Sequence, residues 1–268
     1  MLRSVHREEN IVRIDQVAVQ LYTVREFMKT PEDQRRTFER LREIGYEAIQ
    51  LSAAGSTPPE RIAQMCAEAG LRCCSTHETG PHHMIDEPEA ALDYLQKLNC
   101  PSLALPGPWR VKLDTLEDVV AFAKRLEAAG KVYADAGVIF AYHNHEIEFR
   151  RFDGRLMLEV IFDETDPRYV QGEPDTYWIQ YGGGDSIEWC RRLNGRLPLL
   201  HLKDYKITPD NEPAFAEIGR GNLNWNGIIA AAEASGCEWY IVEQDECEGD
   251  PFEALKTSFE YIRDCLCS

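Results

Sequence analysis

The sequence predicts an α/β fold, a single (β/α)8 barrel. Three observations lead there. Short apolar runs alternate with longer amphipathic ones from Val17 to the end of the chain, and such alternation implies parallel strands joined by right-handed helical crossovers. Eight of these units fit in about 250 residues, the usual size of a closed barrel. The turn after the first strand, "YTVREF", lacks glycine, which disfavours the open doubly wound sheet as runner-up.

The elements follow in order. "VAVQLY" (residues 17–22) reads as the first strand. A helix follows, capped by Thr30, opened by Pro31 and stopped at Gly45, with Phe38, Leu41 and Ile44 on its apolar face. Residues 47–52 form the second strand and 57–70 its helix. Residues 71–77 form the third strand, ahead of a helix around 87–98. Residues 101–106 form the fourth, ahead of a long helix begun by Asp114 or Thr115. "GVIFAYHNH" (137–145) is the fifth strand, "YVQGEPD" (169–175) the sixth and weakest, "LPLLHLKD" (197–204) the seventh and "EWYIVEQ" (238–244) the eighth. Asp250 and Pro251 start a last helix that turns Phe252, Leu255, Phe259 and Ile262 inward. No linker or low-complexity segment interrupts the series, so one catalytic domain over 13–268 is expected, behind an extension at 1–12.

Composition narrows the function classes. With 29 basic and 46 acidic residues, the formal charge is -17, which repels polyanions and anionic membrane surfaces. Nine cysteines, an odd number without CxxC spacing, suggest reduced thiols, several of them ordinary core residues. The start, "MLRSVHREEN", lacks an apolar signal region, and no run is long enough to span a membrane. A cytoplasmic enzyme is the expectation.

Barrel active sites lie at the C-terminal strand ends, and residues two apart on a strand share a face. On strand five these are Ile139, Ala141, His143 and His145; on strand six, Glu173 and Asp175; on strand seven, His201 and Lys203; on strand eight, Ile241, Glu243 and Asp245. Each has a plainer reading when taken singly. Asp175 can cap the next turn, Lys203 and Asp204 can be a solvated pair, and a strand-end histidine is usually structural. Glu243 is harder to dismiss, because an unpaired carboxylate behind "WYIV" is costly to bury. Four strands ending together in ionisable residues point to one shared site. Two imidazoles and two carboxylates suit a divalent ion of intermediate hardness, Mn2+ first, with Mg2+, Co2+, Fe2+ or Zn2+ open. No local HExxH motif is present.

Other segments are less specific. His77 ends strand three within reach of a ligand. His82 and His83 belong to a loop, solvated or part of a lid. "GGGD" (182–185) reads as a turn and a helix cap. "GRGNLNW" (219–225) is no phosphate loop and is expected to bring Arg220 or Trp225 to the rim. Trp178 either stacks on a sugar ring or belongs to the core.

"YHNHEIEF", "EPDTYW", "GGGD", "LLHLKD", "IVEQDE", "QLYTVREF" and "IGRGNLNW" together resemble the sugar phosphate isomerase/epimerase family of xylose isomerase-like barrels, over nearly the whole chain from about Arg13. That superfamily also holds inosose dehydratase, 3-dehydroshikimate dehydratase, tagatose-type epimerases and an apurinic endonuclease. The resemblance implies one metal ligand from each of strands five to eight, here His143, Asp175, His201 and Glu243. It also implies a small carbohydrate substrate, for which His77, Trp178, Glu173 and Arg220 are the candidate contacts by their positions, and leaves homo-oligomerisation open. The chain departs from the epimerases at His143, where they carry a glutamate used as one of two bases. His143 is then a ligand, or Glu146 or Glu148 swings in, and "HxH" looks more like the inosose dehydratase branch. The implied chemistry is removal of a proton beside a carbonyl to give an enediolate. His145 is the favoured base, Glu243 or Glu148 the alternatives, and Lys203 stabilises the oxyanion. Reprotonation gives an isomer or epimer; loss of a β-substituent gives a lyase product. A non-catalytic binding barrel is the rival reading, and Lys203, Lys206, Arg110 and Arg220 are the candidates to meet a phosphate.

Overall fold

The computed structural model describes residues 12–80, 82–108 and 111–267. The expected extension therefore lies outside the described residues except for Val12, as does Arg110.

Eight parallel strands form the barrel: β1 (Val17–Gln20), β2 (Ala48–Leu51), β3 (Arg72–Thr76), β4 (Ser102–Leu105), β5 (Ile139–His143), β6 (Gln171–Glu173), β7 (Leu199–Leu202) and β8 (Trp239–Val242). Each is shorter than the apolar run that predicted it. The first run ends early because residues Leu21–Phe27 wind into a 3-10 helix, and the fifth ends at His143, so that His145 heads the short helix Glu146–Phe149. The strands pair as a five-stranded sheet, β3-β2-β1-β8-β7, and a three-stranded sheet, β4-β5-β6. The sheets meet at two seams. At one, Asp175 and His201 form a parallel bridge and His201 N donates to Pro174 O at 3.0 Å. At the other, Ser102 Oγ donates to Cys74 O at 2.7 Å.

Helices cover the outside: α1 (Pro31–Ile44), α2 (Pro59–Ala69), α3 (Pro88–Leu98), α4 (Leu116–Asp135), α5 (Met157–Asp163), α6 (Thr176–Tyr181), α7 (Ser186–Arg192), α8 (Trp225–Ala234) and α9 (Pro251–Tyr261). Their starts obey the sequence signals. Thr30 accepts from Asp33 N, and Thr115 rather than Asp114 caps α4 in a reciprocal box with Asp118. Asp185 caps α7, as "GGGD" suggested. Phe252, Leu255, Phe259 and Ile262 are all buried.

The barrel interior has two chemically distinct levels. Ala18, Ala48, Cys74, Ala104, Ala141, Leu199 and Ile241 pack as one apolar cluster. Two residues further along the strands, on the same face, stand Gln20, Gln50, His143, His201 and Glu243, all buried. Small residues on five strands bring the walls close, so the next level becomes a tight ring of polar groups.

Among the described residues, two antiparallel hairpins lie outside the barrel series. One pairs Arg151–Phe152 with Arg155–Leu156; the other pairs Asp204–Ile207 with Pro213–Ala216. The second begins at Asp204, which is fully buried rather than solvated. Its carboxylate accepts from Gly219 N at 2.9 Å, Gly221 N at 3.0 Å, Tyr205 N at 2.8 Å and Trp225 Nε1 at 2.9 Å. A Cβ on Gly221 would sit 2.3 Å from Asp204 Oδ1, so only glycine lets this loop close on the carboxylate. "GRGNLNW" is thus a loop wrapped around one buried acid. Asp204→Ala leaves several buried donors without an acceptor, at ~1–3 kcal/mol each. Thermal denaturation should show a loss of about 3–5 kcal/mol, with faster trypsin cleavage at Arg220. An unchanged midpoint would contradict this role.

Candidate active site

The four strand-end residues converge. One donor atom each from His143, Asp175, His201 and Glu243 lies within 4.8 Å of the others, and all four residues are buried. The period of two on β5, β7 and β8 turns these side chains inward, and Asp175 stands two residues past Glu173, the last residue of β6. The two oxygens of Asp175 face different partners. Oδ1 accepts from Trp178 N at 3.0 Å and caps α6, while the buried Oδ2 faces the cluster, 3.0 Å from Lys203 Nζ.

Lys203 stands beside them, 1% exposed. Its Nζ lies 2.7 Å from Glu243 Oε2, 3.0 Å from Asp175 Oδ2 and 3.0 Å from Asp245 Oδ1. Burial alone would discharge this lysine, but Asp175, Glu243 and Asp245 outweigh it and hold its pKa above the ordinary value. Burial likewise opposes a charged His201, yet Glu173 and then Glu243 raise it to about 10. Asp245 is pushed up to about 6, by burial first and then by Glu243. Carboxylates therefore outnumber the cations available to balance them.

This donor set fits a divalent ion. A spread of 4.8 Å is spanned by one ion at ordinary metal–ligand distances of ~2–2.4 Å. Nitrogen and oxygen donors in equal number suit a cation of intermediate hardness. A second grouping, His77, His143, Glu173 and His201, meets the same distance limit.

The cluster opens into a cavity of about 560 Å³ lined by Tyr22, His77, Glu78, His145, Glu243 and Asp245, among others. An adjoining cavity of about 270 Å³ shares His77 and Glu78 and continues past His82, His83, Met84 and Ile85 to Leu105 and Phe122. His145 lines the main cavity, and burial, then Lys203, lowers it to about 3.

Several expected residues stand elsewhere. Glu146 is exposed. Glu148 is buried behind the strand end, where Tyr142 Oη donates to it at 2.7 Å and His145 N at 2.8 Å, and burial raises it to about 7. It has left the strand period because it belongs to the Glu146–Phe149 turn. Arg220 is exposed on its loop and lines neither cavity, and Trp225 is buried against Asp204 instead of reaching the rim. Lys206 pairs with Glu248 at 2.7 Å. Trp178 packs its ring on His145 at 5.5 Å and on Phe215 at 5.8 Å. Glu173 lies fully buried among Gln50 and three imidazoles, outside the lining of the cavity.

Sequence reasoning missed Gln20 and Gln50. Their signal was present: each is a polar residue alternating with an inward alanine, in "VAVQ" and "AIQL". Gln20 Nε2 donates to Gln50 Oε1 at 2.7 Å, and Gln50 Nε2 donates to Glu173 Oε2 at 2.6 Å.

Fold and site together define a β/α barrel with a buried histidine–carboxylate cluster at its C-terminal mouth. The chain belongs to the xylose isomerase-like TIM barrel family, whose model matches residues 38–265. It is 28% identical over 159 residues to an inosose dehydratase of Geobacillus thermodenitrificans (strain NG80-2), covering 52% of this chain and 52% of that protein. The chain thus matches about half the length of its curated relatives. Among solved structures it superposes on a sugar phosphate isomerase/epimerase from Parabacteroides distasonis ATCC 8503 with a TM-score of 0.79 and 24% identity, covering 95% of each chain. It also superposes on a 3-keto-D-glucoside 4-epimerase from E. coli with a TM-score of 0.68 and 15% identity, covering 93% of this chain and 99% of the other. No helix of the described residues is long and apolar enough to cross a membrane.

Proposed function

We propose that the protein is a divalent-metal-dependent isomerase or epimerase acting on a keto-sugar or related polyol, with Mn2+ the favoured ion. One observation carries the reading: His143, Asp175, His201 and Glu243 cluster beside a cavity that His145 also lines. His143, Asp175, His201 and Glu243 would hold the ion. When bound, it supplies Lewis acidity at the substrate carbonyl, which acidifies the neighbouring C–H.

The protein's own groups do the rest. His145 is unprotonated at neutral pH, so its lone pair can accept the acidified proton. Lys203 stays charged among its carboxylates and can donate to the developing enediolate oxygen. The buried wall behind it keeps bulk water from screening that charge. Return of a proton to the opposite face of the same carbon gives the epimer, and its delivery to the neighbouring carbon of the enediolate gives the isomer. His145→Ala should slow solvent-deuterium exchange into a keto-sugar by ~100- to 10,000-fold while metal content stays at the wild-type level. Unchanged exchange would remove His145 from the role of base.

A second outcome of the same intermediate is elimination of a β-hydroxyl. The 28% identity to an inosose dehydratase favours testing it, together with His143 standing where the epimerases of the resemblance carry glutamate. Product analysis with an inosose and with unphosphorylated keto-sugars separates the two. A dehydrated product identifies a lyase, and a stereoisomer of unchanged mass identifies an isomerase. Neither product, in protein that binds no metal, would favour a non-catalytic barrel.

A further inference from the structure

Glu173 is the carboxylate on which the site's imidazoles converge. Its Oε1 lies 2.5 Å from His77 Nε2, 3.2 Å from His143 Nδ1 and 3.2 Å from His201 Nε2. The far nitrogens of the last two rings face the other way. His143 Nε2 lies 3.8 Å from Asp175 Oδ2, and His201 Nδ1 lies 3.0 Å from Glu243 Oε2 and 3.8 Å from Asp175 Oδ2. Each ring therefore spans from Glu173 to the donors at the cavity.

A neutral imidazole has one N–H and one lone pair, and an ionised carboxylate only accepts. A nitrogen facing Glu173 must then carry the hydrogen. Without an ion the same rule also puts a hydrogen on His201 Nδ1, 3.0 Å from Glu243 Oε2. An ion held by Asp175 and Glu243 would displace that hydrogen and leave the one facing Glu173, so that the lone pair of the opposite nitrogen is presented to the ion. Gln50 agrees with this assignment. Its Oε1 is 2.6 Å from His201 Nε2 and already accepts from Gln20 Nε2, so it too calls for a hydrogen on His201 Nε2. Gln50 Nε2 donates to Glu173 Oε2 at 2.6 Å and fixes the carboxylate in turn.

We propose that Glu173 is a positioning residue: it sets the tautomer and ring orientation of both metal-binding histidines, so that His143 presents Nε2 and His201 presents Nδ1 to the ion. The proposal rests on the metal reading given above. It moves Glu173 from contact with substrate to support of the ligands, in keeping with its absence from the lining of the cavity.

The experiment is Mn2+ titration of the full chain, wild type beside Glu173→Gln, with circular dichroism as the folding control. Glu173→Gln should retain one ion per chain but bind it ~10- to 100-fold more weakly, the usual effect of losing an outer-shell partner. Nitrogen NMR of the histidines in metal-free wild type supplies a second readout that needs no variant. It should find His143 protonated at Nδ1 alone and His201 at Nε2, with a second hydrogen on His201 Nδ1 facing Glu243. Affinity unchanged in Glu173→Gln, or the opposite tautomers in wild type, would overturn the proposal. So would two ions in wild type with one lost in the variant, which would make Glu173 a ligand itself, with His77. No Mn2+ uptake by wild type is a different failure. It would sink the proposed function, and the tautomers would still decide whether Glu173 orients the rings.

Discussion

Purified His201→Ala and Glu243→Ala are expected to carry no divalent metal where the wild type carries about one ion per chain. Each variant deletes a direct donor from a cluster whose atoms lie within 4.8 Å of one another. The affinity loss should exceed the ~100-fold upper range for outer-shell partners, and proton exchange into substrate should vanish with the metal. The two variants differ in what they leave behind. Glu243→Ala removes one of the three carboxylates around Lys203, whereas His201→Ala leaves all three in place. Loss of metal in both, with the fold intact, identifies the distributed donor set. Elemental analysis is the measurement, and full retention of metal in either variant would exclude that residue as a ligand.

Lys203→Met should cost more stability than any other single change in the mouth. The ammonium is 1% exposed and faces Asp175, Glu243 and Asp245. Methionine fills much of the volume but leaves buried negative charge without a partner, a change worth about 3–5 kcal/mol. Three consequences should be visible in denaturant titrations. The metal-free variant should be less stable than metal-free wild type. Added Mn2+ should restore part of the loss, because an ion bound to the folded state alone shifts the equilibrium toward it. The variant should also recover as the pH falls. A carboxylate whose folded-state pKa lies above its unfolded value destabilises the fold as pH rises through the interval between them. Asp245, raised to about 6 against ~3.9 in an unfolded chain, already acts this way, and removal of Lys203 should widen that interval. Equal stability of the two metal-free proteins at neutral pH would refute the account.

The barrel was legible because its strands are apolar on both faces near their starts and its helices carry caps. The strand ends were not, because apolar character continues after backbone pairing has stopped. Residues 17–22 read as one strand although the ladder ends at Gln20. The Asp204–Ala216 hairpin escaped because each of its strands is only four residues long and one begins at Pro213, so that the short apolar face of Tyr205, Ile207, Pro213 and Phe215 carried too little signal.

The four-residue cluster was legible because alternation by two carries over from strand to strand. Glu148 and Arg220 lay outside that alternation: Glu148 sits in a helical turn, and the loop that carries Arg220 wraps around Asp204. Gln50 and Glu173 were harder for a different reason. A lone polar residue in a strand marks an inward polar contact but not its depth, and the depth separates a group touching substrate from one bracing a ligand. Asp204 shows the same limit. Nothing in "HLKD" says that one of two adjacent charged residues faces the mouth and the other gathers the amides of a distant loop.

The seam between β6 and β7 gives the cluster a second significance. His143 and Asp175 belong to the three-stranded side of the barrel, and His201 and Glu243 to the five-stranded side. Neither half could assemble the coordination sphere alone. An ion held by all four would act as a rivet across the joint, making occupancy of the site and closure of the wall a single cooperative event.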